Sequence, residues 1–307
     1  MNVCMSSYHQ LKKCNKGGTI LKNVSLSNYT TFKIGGRAKI MVTIKTIEGF
    51  IRVMDYIQNK KLKYFILGEG SNLLISDKGY DGVVILLKGD LSRISETSDG
   101  IEVGAGVRLT TAYIEARNLG LSGLEVLGTI PGSTGGAIYM NAGAYDTSIS
   151  DIVSYVIAYV DGRIKYYTLS ECEFGYRSSI FQKNNAIILR VGFKLIAKDP
   201  NDIQAKYLDT LKRKRLSQPL SFPSAGSVFK GIGDLSVSKM LDDMGVKGLR
   251  EGGAMVSDKH ANFIVNDGNA KAQDVYVLIH KVKKMFKDTY GIDLQIEIQF
   301  LGDFLWN

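Results

Sequence analysis

Cysteine and histidine are both scarce in this 307-residue chain, three of each. The cysteines, Cys4, Cys14 and Cys172, are odd in number and scattered, so no disulfide framework is indicated. The histidines at 9, 260 and 280 form no spaced cluster with them, which argues against a zinc or other metal mechanism built on Cys and His. No apolar run approaches the roughly 20 residues that cross a bilayer, so membrane insertion is not expected. The segment Met1 to Lys16 lacks the apolar stretch of a secretory signal; it reads as a flexible terminus of a cytoplasmic protein.

What is abundant is positive charge and glycine. Thirty-nine Lys+Arg against 30 Asp+Glu give a formal +9, a balance that favours anionic partners. The densest basic run, Lys212 to Arg215, follows an Ile203, Tyr207, Leu211 stripe and reads as the exposed face and end of a helix. Average usage predicts about 21 glycines in this length; there are 33, nine of them among the forty residues from Gly104 to Gly143.

Apolar spacing predicts helices carrying Ile47 to Ile57, Leu109 to Leu119 (stopped by Gly120), residues 201–216, Val237 to Met244 and Ala272 to Phe286. Strands are expected at 64–67, 73–75, 83–87, 187–195, 227–229, 263–265 and 294–300, with a hairpin turn at Asp161-Gly162. Ser170 and Glu173 fit a capping box that opens a short helix delivering Tyr176 and Arg177. The prolines at 219 and 223, after the 201–216 helix, mark the best domain boundary.

Two glycine loops, Gly68 to Asn72 and Gly128 to Gly136, allow successive main-chain N–H groups to converge on an anion such as a pyrophosphate, the second loop running into a helix N-terminus at Ser133. Neither is a Rossmann fingerprint. Leu73 in GEGSNL and Leu109 in GAGVRL stand where that motif requires glycine, and the phosphate-binding G-x-x-x-x-G-K-[ST] pattern is missing. Taken singly, Arg177 reads as a surface or paired arginine, Glu297 as the polar face of a half-buried strand, Ser227 as a structural hydroxyl and His260 as a hydrogen-bonded histidine with no catalytic role.

The stretches NYTTFKIGG (28–36), LGEGSNLL (67–74), GTIPGSTGGAIYMNAGAY (128–145), FGYRSSIF (174–181), PSAGSVFK (223–230), SDKHANFIVNDG (257–268) and IEIQF (296–300) occur in an order that resembles the UDP-N-acetylenolpyruvoylglucosamine reductases. The resemblance implies an α+β protein: a two-subdomain FAD-binding module of the p-cresol methylhydroxylase type, then a C-terminal α+β substrate-binding domain. The corresponding division is 1–19 flexible, 20–88 and 89–200 for the cofactor subdomains, and 201–307 for substrate. It implies noncovalent FAD, reduced by NADPH, and a UDP-sugar enolpyruvyl ether as substrate, converted to UDP-N-acetylmuramate for peptidoglycan. Hydride at the vinyl carbon leaves charge on the neighbouring carbon as an enolate, which needs stabilisation and a proton. Motif match puts Arg177 and Glu297 in the stabilising roles and Ser227 as proton donor. Cofactor contacts would come from Tyr29, Thr31, Gly68, Gly70, Ser71, Asn72, Leu73, Gly128, Pro131, Gly132, Gly135, Gly136, Asn141, Ala142 and Gly143; Tyr176 and Lys230 would meet substrate.

The chain departs from that pattern at two places. Glu69 replaces a glycine, and a carboxylate there repels a pyrophosphate unless it turns outward; Gly231-Ile232 replaces a proline-containing pair after Lys230. The interval from Arg177 to Pro219 has no room for the substrate-covering loop added in the longer class of these reductases, so the chain resembles the shorter class. The rival readings are an oxidase of the same cofactor fold and a basic nucleic-acid-binding protein. Covalent flavin is disfavoured because residues 20–200 hold no histidine and only Cys172, and no RNP-like or zinc-finger signature supports nucleic acid. No metal and no protein partner is expected.

Overall fold

The structure is a computed structural model that describes residues 5–233 and 235–305; Cys4 lies outside them. Helices, in chain order, are α1 (Met5–Cys14), α2 (Ile47–Asn59), α3 (Leu109–Asn118), α4 (Thr134–Tyr139), α5 (Pro200–Ser217), α6 (Val237–Asp243) and α7 (Ala272–Tyr290). The chain divides into two compact units. One comprises residues up to Lys22, Ile40–Glu69 and Gly82–Lys212; the other Asn23–Lys39, Gly70–Asp81 and Arg213 onward.

In the first unit, α1 packs on α2. The strand Tyr64–Ile66 runs parallel to Tyr80–Leu87, with Tyr64 opposite Val83. A five-stranded antiparallel sheet follows, in the order Arg163–Thr168, Val153–Val160, Ile187–Lys194, Gly100–Gly104, Ile94–Thr97. Asp161 (φ 50°) and Gly162 (φ 80°) make the expected two-residue turn between its first two strands, both left-handed as a type I′ hairpin requires. A single apolar cluster runs from Leu11 through Phe50, Val83, Ile85, Leu109 and Val156 to Ile203. Most of the residues expected to form two successive cofactor subdomains therefore share one core.

The second unit has an antiparallel sheet in the order Ser224–Ser227, Phe263–Asn266, Ala254–Val256, Arg250–Glu251, and a parallel pair of Gln299–Leu301 with Leu73–Ile75. Its core holds Phe32, Ile34 and Leu74 together with Val256, Ile264, Leu278, Ile279 and Phe286. Burial of those three early residues carries 23–39 and 70–81 into the C-terminal unit, so the division is interleaved where three successive blocks were expected.

Five local expectations are corrected. The terminus expected to be flexible contains α1, whose Leu11 is 0% exposed. The segment after Thr168 is a single 3-10 turn, Ser170–Cys172, and its reciprocal bonds join Thr168 and Glu171: Thr168 N–H to Glu171 Oε2 (2.9 Å) and Glu171 N–H to Thr168 Oγ1 (3.4 Å). Glu173, the expected capping residue, is instead left-handed with φ 44°. The last strand spans only Gln299–Leu301, and the strand around Ser227 ends there instead of beginning. In the basic run, Lys212, Arg213 and Arg215 are exposed as expected, whereas Lys214 is 5% exposed; burial pushes its ammonium down to about 8.

Because α1 is part of the core, Leu11→Ala is expected to lower the unfolding free energy by about 2–5 kcal/mol in urea melts. A change within about 0.5 kcal/mol, as for an exposed substitution, would return the segment to a peripheral role.

Candidate active site

The first glycine loop begins where the strand Tyr64–Ile66 ends, after Leu67 N–H bonds to Ile85 O (2.9 Å). Gly68 is pressed against the second loop: a Cβ there would collide with Ser133 Oγ. Among the described residues, the N–H groups of Gly68, Glu69, Gly132 and Ser133 donate to no acceptor. Four such donors at a junction of small residues suit the oxygens of a diphosphate, the anionic centre of FAD. The N-terminus of α4 is a different matter. Ser133 caps it as expected, with Oγ accepting from Gly136 N–H (3.3 Å). Thr134 N–H, however, bonds to Val107 O (2.7 Å) and Gly135 N–H to Ala105 O (2.9 Å). The helix donors that the sequence offered to an anion are thus consumed internally, and the available donors come from the loops. Pro131 is exposed at the tip of the second loop. Gly128 is buried against Tyr113, its carbonyl accepting from Thr110 Oγ1 (2.7 Å), so it serves the packing of α3.

Asn141, Ala142 and Gly143 build the support of Arg177. Asn141 is buried, with Nδ2 donating to Gly175 O (2.9 Å) and Oδ1 accepting from Ser150 N–H (3.2 Å). Ala142 exchanges main-chain bonds with Ala137 and Ile149. Gly143 O accepts from Arg177 Nη2 (2.9 Å). Gly175 and Ser178 close a tight turn with two 3.1 Å main-chain bonds, leaving Tyr176 and Arg177 at its tip. Arg177 has φ 51°, a left-handed conformation that costs a non-glycine residue about 1–2 kcal/mol. Such strain, held by surrounding bonds, is typical of a functional position. Ser179 Oγ and Gln182 Nε2 both donate to Tyr139 O (2.8 and 2.7 Å), and Gln182 Nε2 also lies 3.2 Å from Arg177 O. Gln182 carries no signal in the sequence, because its closest partners are the main-chain oxygens of Tyr139 and Arg177. Tyr176 is 60% exposed, its ring 5.1 Å from the Arg177 guanidinium carbon.

In the second unit, Ser227 and Glu297 are brought together through the main chain. Glu297 N–H bonds to Val228 O (2.7 Å), Lys230 N–H to Gln295 O (2.9 Å), and Phe229 bridges Ile296. Ser227 pairs with Phe263 across a register shift at which Gly226 has φ 78°. Such a bulge re-aims the following side chain, and only glycine adopts that φ without strain. Ser227 is half-buried, and its hydroxyl has no hydrogen-bond partner among the described residues. Lys230 is likewise half-buried. The buried Asn262 brackets the segment, accepting from Phe229 N–H (2.9 Å) and donating to Phe229 O (2.8 Å). Thr31 Oγ1 donates to Ser224 O (2.7 Å) and Thr31 N–H to Gly70 O (3.3 Å). Asn72 Nδ2 donates to Glu297 O (3.2 Å). Thr31 and Asn72, expected to meet cofactor, therefore also brace the strands carrying Ser227 and Glu297. Tyr29 and Ser71 are half-buried, and Leu73 is buried in its parallel pair.

His260 fits its structural reading: Nδ1 accepts from Asn262 N–H (3.3 Å), and burial, aided by Lys247, lowers its pKa. Cys172 is fully buried and its thiol is pushed up to about 11, which makes it a poor nucleophile for flavin attachment. Among the described residues no group of three or more His, Cys, Asp or Glu is placed to hold a metal ion, and no helix is long and apolar enough to cross a membrane.

Residues 38–165 match the family described as an FAD binding domain, and together with the glycine-loop cradle this makes the chain an FAD-binding oxidoreductase. Residues 218–301 match the C-terminal domain of UDP-N-acetylenolpyruvoylglucosamine reductase. A reductase of that name from Syntrophomonas wolfei is 42% identical over 282 residues, covering 92% of this chain and 94% of the relative. Another, from Halalkalibacterium halodurans, is 39% identical over 287 residues, covering 93% and 95%. The crystal structure of the Thermus caldophilus enzyme superposes with a TM-score of 0.81 at 35% identity, over 93% of this chain and 100% of that one. The chain belongs to the UDP-N-acetylenolpyruvoylglucosamine reductase family.

The lowered pKa of His260 gives a pH signature. The unfolded chain protonates this imidazole near its ordinary 6.5, whereas the folded one resists, so stability falls as pH drops below about 6.5 towards the folded pKa. His260→Asn, which keeps an acceptor for Asn262 N–H, is expected to flatten that part of the stability profile in urea melts between pH 7.5 and 5. An unchanged profile would show that His260 does not contribute to it.

Proposed function

We propose that this chain catalyses the NADPH-dependent reduction of UDP-N-acetylglucosamine enolpyruvate to UDP-N-acetylmuramate, a step of peptidoglycan precursor synthesis, with Arg177, Glu297 and Ser227 as the reacting side chains. The observation that carries the reading is the pairing of Val228–Lys230 with Gln295–Glu297, which sets Ser227 and Glu297 on adjoining segments of one unit. It is supported by the similarity to reductases of that name over more than nine-tenths of the chain.

FAD, held by the glycine loops at Gly68–Glu69 and Gly132–Ser133, would supply the redox chemistry by which the reducing equivalent of NADPH reaches the vinyl carbon of the substrate. The protein's task is the charge that follows. Negative charge develops on the carboxylate-bearing carbon and its oxygens as an enolate. Preorganised groups stabilise such charge more effectively than water, because they need not reorient during the reaction. The Arg177 guanidinium, fixed by Gly143 O and by the strained turn, supplies a permanent cation. Glu297 completes the polar environment of the enolate. Ser227 Oγ then gives its proton to the carbanionic carbon and recovers one from solvent. A serine hydroxyl is a weak acid, but an enolate carbon is a strong base, and proximity makes the transfer competent. Tyr176 and Lys230 contact substrate, Lys230 as a point charge for its anionic groups. A nucleotide-sugar substrate would place the protein in the cytoplasm.

Ser227→Ala is expected to retain FAD and its bleaching by NADPH while turnover of the UDP-sugar falls about 10²–10⁴-fold, the range supplied by a general acid. Glu297→Gln should likewise keep its flavin and lose turnover. Near-normal turnover of Ser227→Ala in stopped-flow assays would remove the proton-donor role; rapid oxygen consumption by the NADPH-reduced wild type would instead favour an oxidase.

A further inference from the structure

The two loop segments GEGSN and GTIPGSTGGA contain no lysine or arginine. A diphosphate held by their N–H groups alone would lack a counter-charge and would face the Glu69 carboxylate. The structure provides a remedy within the first unit. Arg108 Nε lies 2.8 Å from Glu69 Oε2, with the two side chains 67% and 21% exposed. The main chain of Arg108 is bridged to Ser133, flanked by Leu109 N–H to Gly132 O (3.0 Å) and Thr134 N–H to Val107 O (2.7 Å). Arg108 is thus tied by its side chain to the first glycine loop and by its backbone to the second. Its ion pair engages Nε, and among the described residues the terminal nitrogens have no acceptor.

We propose that Arg108 is a cofactor-binding residue that presents its terminal guanidinium nitrogens to the pyrophosphate of FAD, and that Glu69 is the positioning residue that holds it there. The inference rests on the FAD assignment. It explains how a carboxylate is tolerated where a glycine would be neutral: the Glu69 charge is cancelled by the same cation that recognises the phosphates. A guanidinium suits the role because its donors are arranged as a planar fork, and engaging Nε still leaves an edge for phosphate oxygens. Arg108 precedes α3 without a side-chain capping bond, so its replacement removes no helix cap.

The test is FAD titration of flavin-stripped full-length protein, followed by flavin fluorescence, from low to high NaCl. For Arg108→Ala, affinity is expected to fall about tenfold or more, since a charged hydrogen bond is lost and Glu69 is unmasked. The salt dependence of the remaining affinity should be shallower, because a screened attraction has gone. Arg108→Lys should retain the salt dependence with weaker binding. The double variant Arg108→Ala with Glu69→Gln should recover part of the loss, since the unpaired carboxylate is removed. An Arg108→Ala affinity within twofold of wild type would overturn the proposal. So would a loss with wild-type salt dependence and no recovery in the double variant, which would mean that the pair only staples the loops. Failure of the stripped wild type to take up FAD would overturn the cofactor assignment itself.

Discussion

The close approach of Gly68 to Ser133 is the contact on which the cofactor loops depend. Without a Cβ at 68 the first loop lies directly on the second at Ser133, and the N–H groups of Gly68 and Ser133, which have no acceptor among the described residues, come from adjoining segments. Any side chain there would displace the Ser133 hydroxyl from Gly136 N–H and disturb the start of α4. Glycine at this position therefore serves backbone proximity. Downstream, α4 leads into Asn141–Gly143, and those residues hold the strained turn of Arg177. A single steric condition is thus linked, through one short helix, to the residue assigned to stabilise substrate charge.

Main-chain bonding also positions the groups proposed to react in the second unit. Ser227 and Glu297 are far apart in sequence, and hydrogen bonds between Val228–Lys230 and Gln295–Glu297 bring their segments together. Asn262 on one side and Asn72 on the other hold these segments with buried or half-buried amides. Polar side chains that satisfy backbone groups are well suited to this task, because an unsatisfied buried partner carries a large penalty. Their replacement would displace the site before it altered any reacting atom.

Much of the fold could be read from the sequence where one physical signal dominated. The 3.6-residue apolar period located α2, α3, α5, α6 and α7, and the need for two left-handed residues located the Asp161-Gly162 hairpin. The family and its FAD followed from seven motifs in order. Signals that compete locally or act over distance were harder to read. Thr168/Glu171 and Ser170/Glu173 both satisfy the same capping spacing, and only the folded backbone selects the first. Helix α1 is mostly polar, so its period is faint although Leu11 is fully buried. The consumption of the α4 donors by Val107 and Ala105, the Glu69–Arg108 pair and the bracketing by Asn262 all join distant residues. No local pattern encodes them. The departure at Glu69 was visible in the sequence, but the arginine that offsets it was not.

The central claim, that bound FAD carries electrons from NADPH to a UDP-sugar enolpyruvyl ether, is tested most directly by one anaerobic absorption experiment on the purified full-length protein. The account predicts about one acid-extractable FAD per chain, bleaching of its visible bands by NADPH, and their full return on addition of UDP-N-acetylglucosamine enolpyruvate. A flavin that is bleached by NADPH but stays reduced with that substrate present, or a colourless protein that refuses added FAD, would contradict it.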